Sequence, residues 1–180
     1  MSKLNAFTAE IEIDRSKAEV WEIIFKRFGE ANNFNPLIIA SHYEAGPIGE
    51  VGTERKCEIT PGNWVHEKIS AVRGEMDEMD IEILDGGLPM VAEMKATFQL
   101  KAIDANRTKV TLIGGGRTKP ALMFAIMKGQ MTSKFHEMLI GLKYHMETGG
   151  LVSEENIKEI KKIYTHENKA FKAALVAAVA

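Results

Sequence analysis

The chain has 180 residues, of which 45% are hydrophobic and 27% are charged, a composition that excludes collagen-like, disordered and disulfide-rich proteins. Its 23 Lys and Arg residues against 25 Asp and Glu residues give a net charge of −2, which lacks the basic excess that nucleic-acid binding requires. The longest runs without charged or strongly polar side chains, 120–127 and 173–180, are too short for a transmembrane span.

The amino terminus carries no apolar signal core, and a single cysteine, Cys57, cannot build a disulfide framework or a cysteine-based zinc site. The histidines show no metal-ligand spacing, and the glycines do not form a dinucleotide-binding fingerprint. We therefore expect a cytoplasmic protein without a metal or other cofactor.

The chain opens with a strand and then a helix. Residues from Ala6 to Ile13 alternate between apolar and polar side chains, which is typical of a half-buried strand. Ser16 and Glu19 form a capping-box pattern, and the apolar residues that follow at helical spacing predict a helix that runs to about Phe28. The next strand is expected around 37–44.

The segment from Gly46 to Gly116 alternates repeatedly and is punctuated by turn residues, which predicts an antiparallel meander. The clearest of these strands runs from Ala92 to Ala102. An earlier strand is expected from Val51 to Ile59, and one of its faces is mainly apolar but includes an arginine. The residues on that face are Val51, Thr53, Arg55, Cys57 and Ile59.

The last long element is an amphipathic helix. We expect the run from Gly114 to Gly116 to be a flexible bend that joins the sheet to this helix, rather than an anion-binding nest. The helix begins at Pro120, extends for about seven turns and ends at Thr148. Apolar residues at steps of three or four form its stripe: Phe124, Met127, Met131, Phe135, Met138, Leu142 and Met146.

Residues 7–149 resemble a known superfamily in the order of these elements and in several short motifs. The motifs are GEVGTER at 49–55, HEKI at 66–69, GLP at 87–89, MKAT at 94–97 and LKYHMETG at 142–149. The superfamily is the helix-grip (SRPBCC) group of birch-pollen allergen, START and polyketide-cyclase or lipid-transport proteins, with local similarity to plant abscisic-acid receptors. The resemblance implies an α+β fold: a curved seven-stranded antiparallel sheet wraps around the long C-terminal helix, with two short helices between strands 1 and 2.

The resemblance also implies an internal cavity, between sheet and helix, for a small apolar or amphipathic molecule. The methionines of the helix stripe suit an adaptable apolar surface, although the same residues could simply fill a core. The residues expected to line the cavity are Asn35, Arg55, Cys57, Glu67, Ile69, Ile81, Ile83, Met94, Phe98, Met127, Met131, Phe135 and Met138.

Arg55 and Glu67 both fall on the inward faces of their strands and are expected to pair. Such a pair is either a ligand anchor, because the arginine fork binds both oxygens of a carboxylate, or a satisfied buried ion pair. Asn35 stands where the plant receptors have a hormone-binding lysine, which argues against abscisic acid. The two loops that close the receptor cavity correspond to 61–63 and 86–89, and the first is expected to be an ordinary hairpin turn.

Two functions remain open. In the first, the protein binds a lipid-like or polycyclic molecule. In the second, it is a cyclase or dehydratase in which Glu67 acts as the acid or base. The sequence favours binding, because it offers one plausible acid or base and no second titratable group beside it.

The chain is expected to divide into a ligand-binding domain, 1–149, and a helical extension, 150–180. Apolar residues at helical spacing in the extension could cover the cavity mouth, pack on the sheet or form a homodimer. They are Ile157, Ile160, Tyr164, Phe171 and Leu175.

Overall fold

The computed structural model describes residues 5–86, 91–120, 122–166 and 169. The elements in chain order are β1 Asn5–Ile13, α1 Lys17–Trp21, a π-helical turn Glu22–Lys26, a 3-10 helix Phe28–Asn33, β2 Ala40–Ala45, β3 Glu54–Thr60, β4 Asn63–Arg73, β5 Glu78–Gly86, β6 Val91–Asp104, β7 Arg107–Thr118, α2 Leu122–Thr148 and α3 Ile157–Ile163.

The strands of the described residues form one seven-stranded antiparallel sheet in the order β1-β7-β6-β5-β4-β3-β2. Consecutive strands are neighbours from β2 to β7. β1 pairs with β7 instead of β2, so β1 and β2 are the two edge strands of the sheet. The curved sheet packs around α2, which lies mainly against β1 and β7. The predicted α+β fold, with short helices between the first two strands, is confirmed.

The alternation in β1 sets which of its side chains enter the core. Phe7 and Ile13 are 4% and 0% exposed, whereas Glu10 and Glu12 on the other face are exposed. The antiparallel pairing with β7 supplies the backbone hydrogen bonds that this half-buried strand needs. The predicted strand and its inward face are therefore confirmed.

The expected helix from Ser16 to Phe28 is in fact three short helical segments. Its predicted capping box is present, with the side chain of each partner bonded to the backbone of the other. The α-helix ends at Trp21, and the Arg27 N–H then bonds to the Glu22 carbonyl, which is the wider spacing of a π turn. This geometry redirects the chain into the following 3-10 helix.

The strand expected from Leu37 begins three residues later, at Ala40. The side-chain Oδ1 of Asn35 accepts a hydrogen bond from the Leu37 N–H at 3.1 Å, and the Asn35 carbonyl accepts another from Ile38. These bonds hold the segment in a turn, because they occupy groups that a strand would use for pairing.

The prediction that Val51 lies on the inner face of a strand is wrong. β3 begins at Glu54, and Val51 lies in the preceding turn with 49% of its surface exposed. Gly49 and Gly52 have φ values of +75° and +99°, which extended backbone does not adopt. Arg55 and Cys57 are buried as expected.

The glycine run 114–116 is not a flexible bend. It lies inside β7 and pairs with both β1 and β6, opposite Phe7 and Ala96 at Gly114. A Cβ on Gly114 would lie 2.2 Å from the Phe7 ring and 2.8 Å from the Phe135 ring. The missing side chain therefore leaves room for two aromatic rings on the inner face of the sheet.

α2 ends as predicted, since Thr148 is its last residue and Gly149 follows with a φ of +75°. Its most buried face is rotated by roughly a quarter of a turn from the predicted stripe, since successive residues are 100° apart. Met127, Met131 and Met138 are only half-buried and lie beside this face. The buried residues of α2 are Phe124, Thr132, His136, Leu139, Ile140, Gly141, Leu142 and Lys143.

The segment after α2 packs against the rest of the same chain. Val152, Ile157 and Ile160 are 3–5% exposed and belong to the hydrophobic core cluster that also contains the inner faces of the strands. Phe171 and Leu175 lie outside the described residues. A division at residue 149 and a homodimer through this segment both stay predictions. None of the helices in the described part of the chain combines the length and hydropathy that a membrane span requires.

Candidate functional site

Arg55 and Glu67 form a buried ion pair on the inner face of the sheet. They are directly opposite each other in the β3–β4 register, and Arg55 Nε lies 2.7 Å from Glu67 Oε2. Burial lowers the pKa of Arg55, but the acidic groups around it, the Glu67 carboxylate foremost, together outweigh that effect and hold the pKa above its ordinary value. The expected pairing is therefore observed.

The same guanidinium also binds the helical segment above it. Its NH1 group donates to the Phe28 carbonyl at 2.7 Å, and its central carbon lies 3.9 Å from the centre of the Phe28 ring. The donors of Arg55 are thus divided between a carboxylate and a backbone carbonyl, and the cation stacks on an aromatic face. These contacts are those of a satisfied structural ion pair.

Cys57 lies beside this pair on β3. Its Sγ is 3.7 Å from Glu67 Oε2 and 3.4 Å from the Ser41 hydroxyl. Burial raises the pKa of Cys57 to about 11, although the nearby Arg55 cation opposes the shift. The thiol is therefore neutral near pH 7, and it lacks the thiolate character that a nucleophile requires.

A cleft opens between the first turns of α2 and the end of the sheet where β1 and β6 begin and β7 ends. Its volume is about 320 Å³, part of which is continuous with solvent. Its enclosed part has room for little more than a water molecule. The lining residues are Phe7, Glu93, Met94, Gly115, Gly116, Arg117, Thr118, Phe124, Met127, Lys128 and Met131.

The wall of the cleft is apolar and its charges come from three residues. Arg117 Nε donates to Glu93 Oε2 at 2.9 Å, and this hydrogen bond holds the pKa of the Glu93 carboxyl below its ordinary value. Lys128 is exposed and forms no ion pair with any residue that the structure describes. The cleft therefore combines an apolar wall with a positive charge that has no carboxylate partner among the described residues.

The structure brings together three of the residues expected to line a cavity, and it places the others elsewhere. Met94, Met127 and Met131 meet at the cleft. Ile83 is half-buried on β5, and Asn35 is held in its turn. The others are buried or half-buried away from the lining of the cleft: Arg55, Cys57, Glu67, Ile69, Ile81, Phe98, Phe135 and Met138.

Two aromatic residues of the cleft were not among the predicted lining. Phe7 and Phe124 have ring centres 6.2 Å apart, and Phe7 also contacts Phe135 edge-on at 4.7 Å. The inward alternation of β1 predicts that Phe7 is buried, but only the pairing of β1 with β7 places it below the start of α2. Alternation within one strand does not show which strand lies beside it, so the sequence pattern could not place Phe7 at the cleft.

Polar side chains on the buried face of α2 were also missed. Lys143 is 6% exposed, and its Nζ donates to the Glu12 carbonyl and to Glu147 Oε1, each at 2.8 Å. The bond to Glu12 attaches the end of α2 to β1. Within the described residues, no group of three or more His, Cys, Asp or Glu side chains could hold a metal ion.

Comparison with known proteins identifies the fold. No family model matches the chain. No curated protein matches its sequence. Among solved structures, Ara h 8.0201 superposes with a TM-score of 0.66 at 17% identity, over 81% of this chain and 99% of that chain.

Two further solved structures have the same architecture. Norcoclaurine synthase from Thalictrum flavum, in complex with dopamine and hydroxybenzaldehyde, has a TM-score of 0.61 at 16% identity, over 81% of this chain and 88% of that chain. A START superfamily protein from Mycobacterium smegmatis has a TM-score of 0.60 at 12% identity, over 79% and 97% of the two chains. The helix-grip fold that the resemblance implied is therefore confirmed.

Proposed function

We propose that this helix-grip protein binds a small apolar or amphipathic molecule, lipid-like or polycyclic, in the cleft at the start of α2. One observation carries the proposal: Met94, Met127 and Met131 meet Phe7 and Phe124 there in an apolar wall with charges at its edge. Concave apolar surfaces with a few polar groups are the usual form of small-molecule sites.

The methionines account for how a ligand could enter a cleft whose enclosed part is small. Their side chains are unbranched and flexible, so they can move aside and repack around molecules of different shape. Met127 and Met131 lie beside the packed face of α2 rather than within it. Moving them disturbs few contacts of the core.

The enzymatic alternative, with Glu67 as the acid or base of a cyclase or dehydratase, has less support. A general acid or base must reach the reacting group of its substrate. Glu67 is bound to Arg55 and is not part of the lining of the cleft. We therefore prefer ligand binding without catalysis.

A cytoplasmic location stays a prediction.

A fluorescence titration with 1-anilinonaphthalene-8-sulfonate tests the binding site. This probe has an apolar ring system for the cleft wall and a sulfonate for Lys128. We expect Met127→Gln/Met131→Gln to weaken probe binding about tenfold, because each substitution removes apolar contact. Met146→Gln is the control for a polar substitution on α2, since Met146 is a half-buried methionine that packs on the core and does not line the cleft. Equal loss in the two variants would refute the cleft as the site.

Native mass spectrometry of protein purified without added ligand addresses the natural occupant. A stoichiometric apolar or amphipathic adduct, released on denaturation and extracted, would support a carrier and identify its chemical class. Glu67→Gln separates the two functions. Adduct and probe binding should survive this change if the protein only binds, whereas turnover of a substrate would be lost if Glu67 were its acid or base.

A further inference from the structure

Lys128 lies on the same face of α2 as the apolar wall of the cleft. The helix contributes Phe124, Met127, Lys128 and Met131 to the lining. With about 100° between successive residues, these four positions fall within an arc of about 100° on the helix. Lys128 comes four residues after Phe124 and three before Met131, so it lies between two apolar members of the wall.

Lys128 is both a lining residue of the cleft and an exposed residue. A lysine of this kind lays its methylene stem along apolar surface and keeps its ammonium in solvent. The stem therefore extends the apolar wall, and the charge lies at the open side of the cleft. A ligand bound there meets apolar side chains inside and a cation at the mouth.

No carboxylate of the described residues forms an ion pair with this cation. α2 has no Asp or Glu before Glu137, so none lies three or four residues from Lys128. Glu93, the acidic residue of the lining, accepts a hydrogen bond from Arg117 Nε at 2.9 Å. The charges of Glu93, Arg117 and Lys128 therefore leave the lining with one uncompensated positive charge.

We infer that the ligand of this cleft is an amphiphile with one negative charge on its head group, and that Lys128 is the residue that selects this charge. The apolar part of the ligand lies against Phe7, Phe124 and the methionines, and the head group meets the Lys128 ammonium at the mouth. A neutral amphiphile gains nothing from this ammonium, and a cationic one is repelled by it. The inference rests on the proposed function, because it specifies the ligand of the same cleft.

Two dyes with the same ring system test the inference. 1-Anilinonaphthalene-8-sulfonate carries a sulfonate, whereas N-phenyl-1-naphthylamine is the same aromatic amine without it. Fluorescence titration gives the dissociation constant of each dye with the full chain. We expect Lys128→Gln to weaken binding of the sulfonate dye about fivefold and to leave binding of the neutral dye unchanged. Raising the salt concentration should weaken binding of the sulfonate dye to the unchanged protein and should affect the Lys128→Gln variant little.

A pair of lipid-like competitors extends the test beyond dyes. Decanoate and decanol have the same alkyl chain and differ in the charge of the head group. Decanoate should displace the neutral dye from the unchanged protein about fivefold more effectively than from Lys128→Gln, whereas decanol should displace it equally from both. Lysine and glutamine have similar helix propensities, so this substitution should leave α2 intact.

Lys101→Gln is the matched control. Lys101 is exposed on β6, has no ion pair among the described residues and is not part of the lining of the cleft. The control removes the same charge from the chain and should bind both dyes like the unchanged protein. Equal loss of sulfonate-dye binding in Lys101→Gln and Lys128→Gln would overturn the inference, because net charge rather than Lys128 would then attract the anion.

Two further outcomes would refute the inference and leave the cleft as a binding site. One is an unchanged affinity of Lys128→Gln for the sulfonate dye. The other is equal weakening of both dyes, which would show that only the apolar stem of Lys128 contributes. In both cases Met127→Gln/Met131→Gln should still weaken binding of both dyes. Failure of both dyes to bind the unchanged protein would instead refute the proposed function, and this inference with it.

Discussion

Arg55 and Glu67 join two layers of the protein through a single guanidinium. Arg55 Nε lies 2.7 Å from Glu67 Oε2 across β3 and β4, while its NH1 group lies 2.7 Å from the carbonyl of Phe28 in the helical layer. Both acceptors depend on the same cation. Loss of the arginine and loss of the carboxylate must therefore have different consequences.

We expect Arg55→Met to lower the free energy of unfolding by about 3 kcal/mol, because it leaves a mostly buried carboxylate and a carbonyl without their donor. Glu67→Gln should cost only about 1 kcal/mol, since the amide oxygen can still accept from the guanidinium. Urea unfolding measures both. In the double variant Arg55→Met/Glu67→Met, part of the loss should be recovered, because no buried charge remains. Equal losses in the two single variants would contradict a contribution of the Arg55–Phe28 hydrogen bond beyond that of the ion pair.

The thiol of Cys57 should be nearly inert in the native protein. Because its pKa is raised to about 11, iodoacetamide should label the native protein roughly a hundredfold more slowly than the urea-unfolded chain near pH 8. As the pH rises toward that value, the thiolate fraction and the native labelling rate should increase by about tenfold per pH unit. Mass spectrometry follows the modification, with Cys57→Ala as the blank. Similar rates for native and unfolded chains would contradict this burial.

Gly141 and Gly129 lie on the same helix and should respond to alanine in opposite directions. A Cβ on Gly141 would lie 2.1 Å from the Phe34 carbonyl oxygen, so Gly141→Ala must push α2 away from the helical layer and should cost at least about 2 kcal/mol. A Cβ on Gly129 has open space, and Gly129→Ala should add about 0.5–1 kcal/mol through helix propensity. Thermal unfolding compares the two variants. Destabilisation by Gly129→Ala would show that its face is covered after all.

Local patterns in the sequence predicted the parts of the fold that depend on neighbouring residues. The alternation of β1, the Ser16–Glu19 capping box and the helix stop at Gly149 all involve residues a few positions apart. The pairing of Arg55 with Glu67 was also within reach, because a short hairpin fixes which residues of β3 and β4 face each other. In each case the decisive partner lies nearby in the chain.

The errors about the glycine run, the packed face of α2 and the cleft occur where the decisive partner is distant in sequence, whereas those at Leu37 and Val51 arise from local turns. The glycine run at 114–116 looks like a bend until Phe7 and Phe135 are known to occupy the space beside Gly114. The packed face of α2 includes Lys143, because the Glu12 carbonyl and Glu147 satisfy its charge, and a hydrophobic stripe cannot reveal that. The position of the cleft also depends on a distant contact, because the pairing of β1 with β7 brings Phe7 to it.

Glu147 connects the end of α2 to two other parts of the chain. One carboxylate oxygen accepts from Lys143 Nζ at 2.8 Å and from the Asp14 N–H at 2.9 Å, and the other accepts from the Tyr164 hydroxyl at 3.0 Å. Burial raises the pKa of the carboxyl, but the Lys143 ammonium and these hydrogen bonds outweigh it and hold the pKa below the ordinary value of 4.5.

A carboxyl group whose pKa is lowered on folding stabilises the native state above its ordinary pKa, and this contribution is lost as the pH falls through the native pKa. We therefore expect the free energy of unfolding to decrease as the pH drops below 4.5, and Glu147→Gln to reduce that pH dependence. Near neutral pH the substitution should cost about 1–2 kcal/mol, because Lys143 loses this carboxylate. Urea unfolding over a pH series measures both effects, with exposed Glu155→Gln as the control. An unchanged pH slope in Glu147→Gln would mean that other carboxylates, such as Glu137 with Lys161, hold the helical segment after α2 in acid.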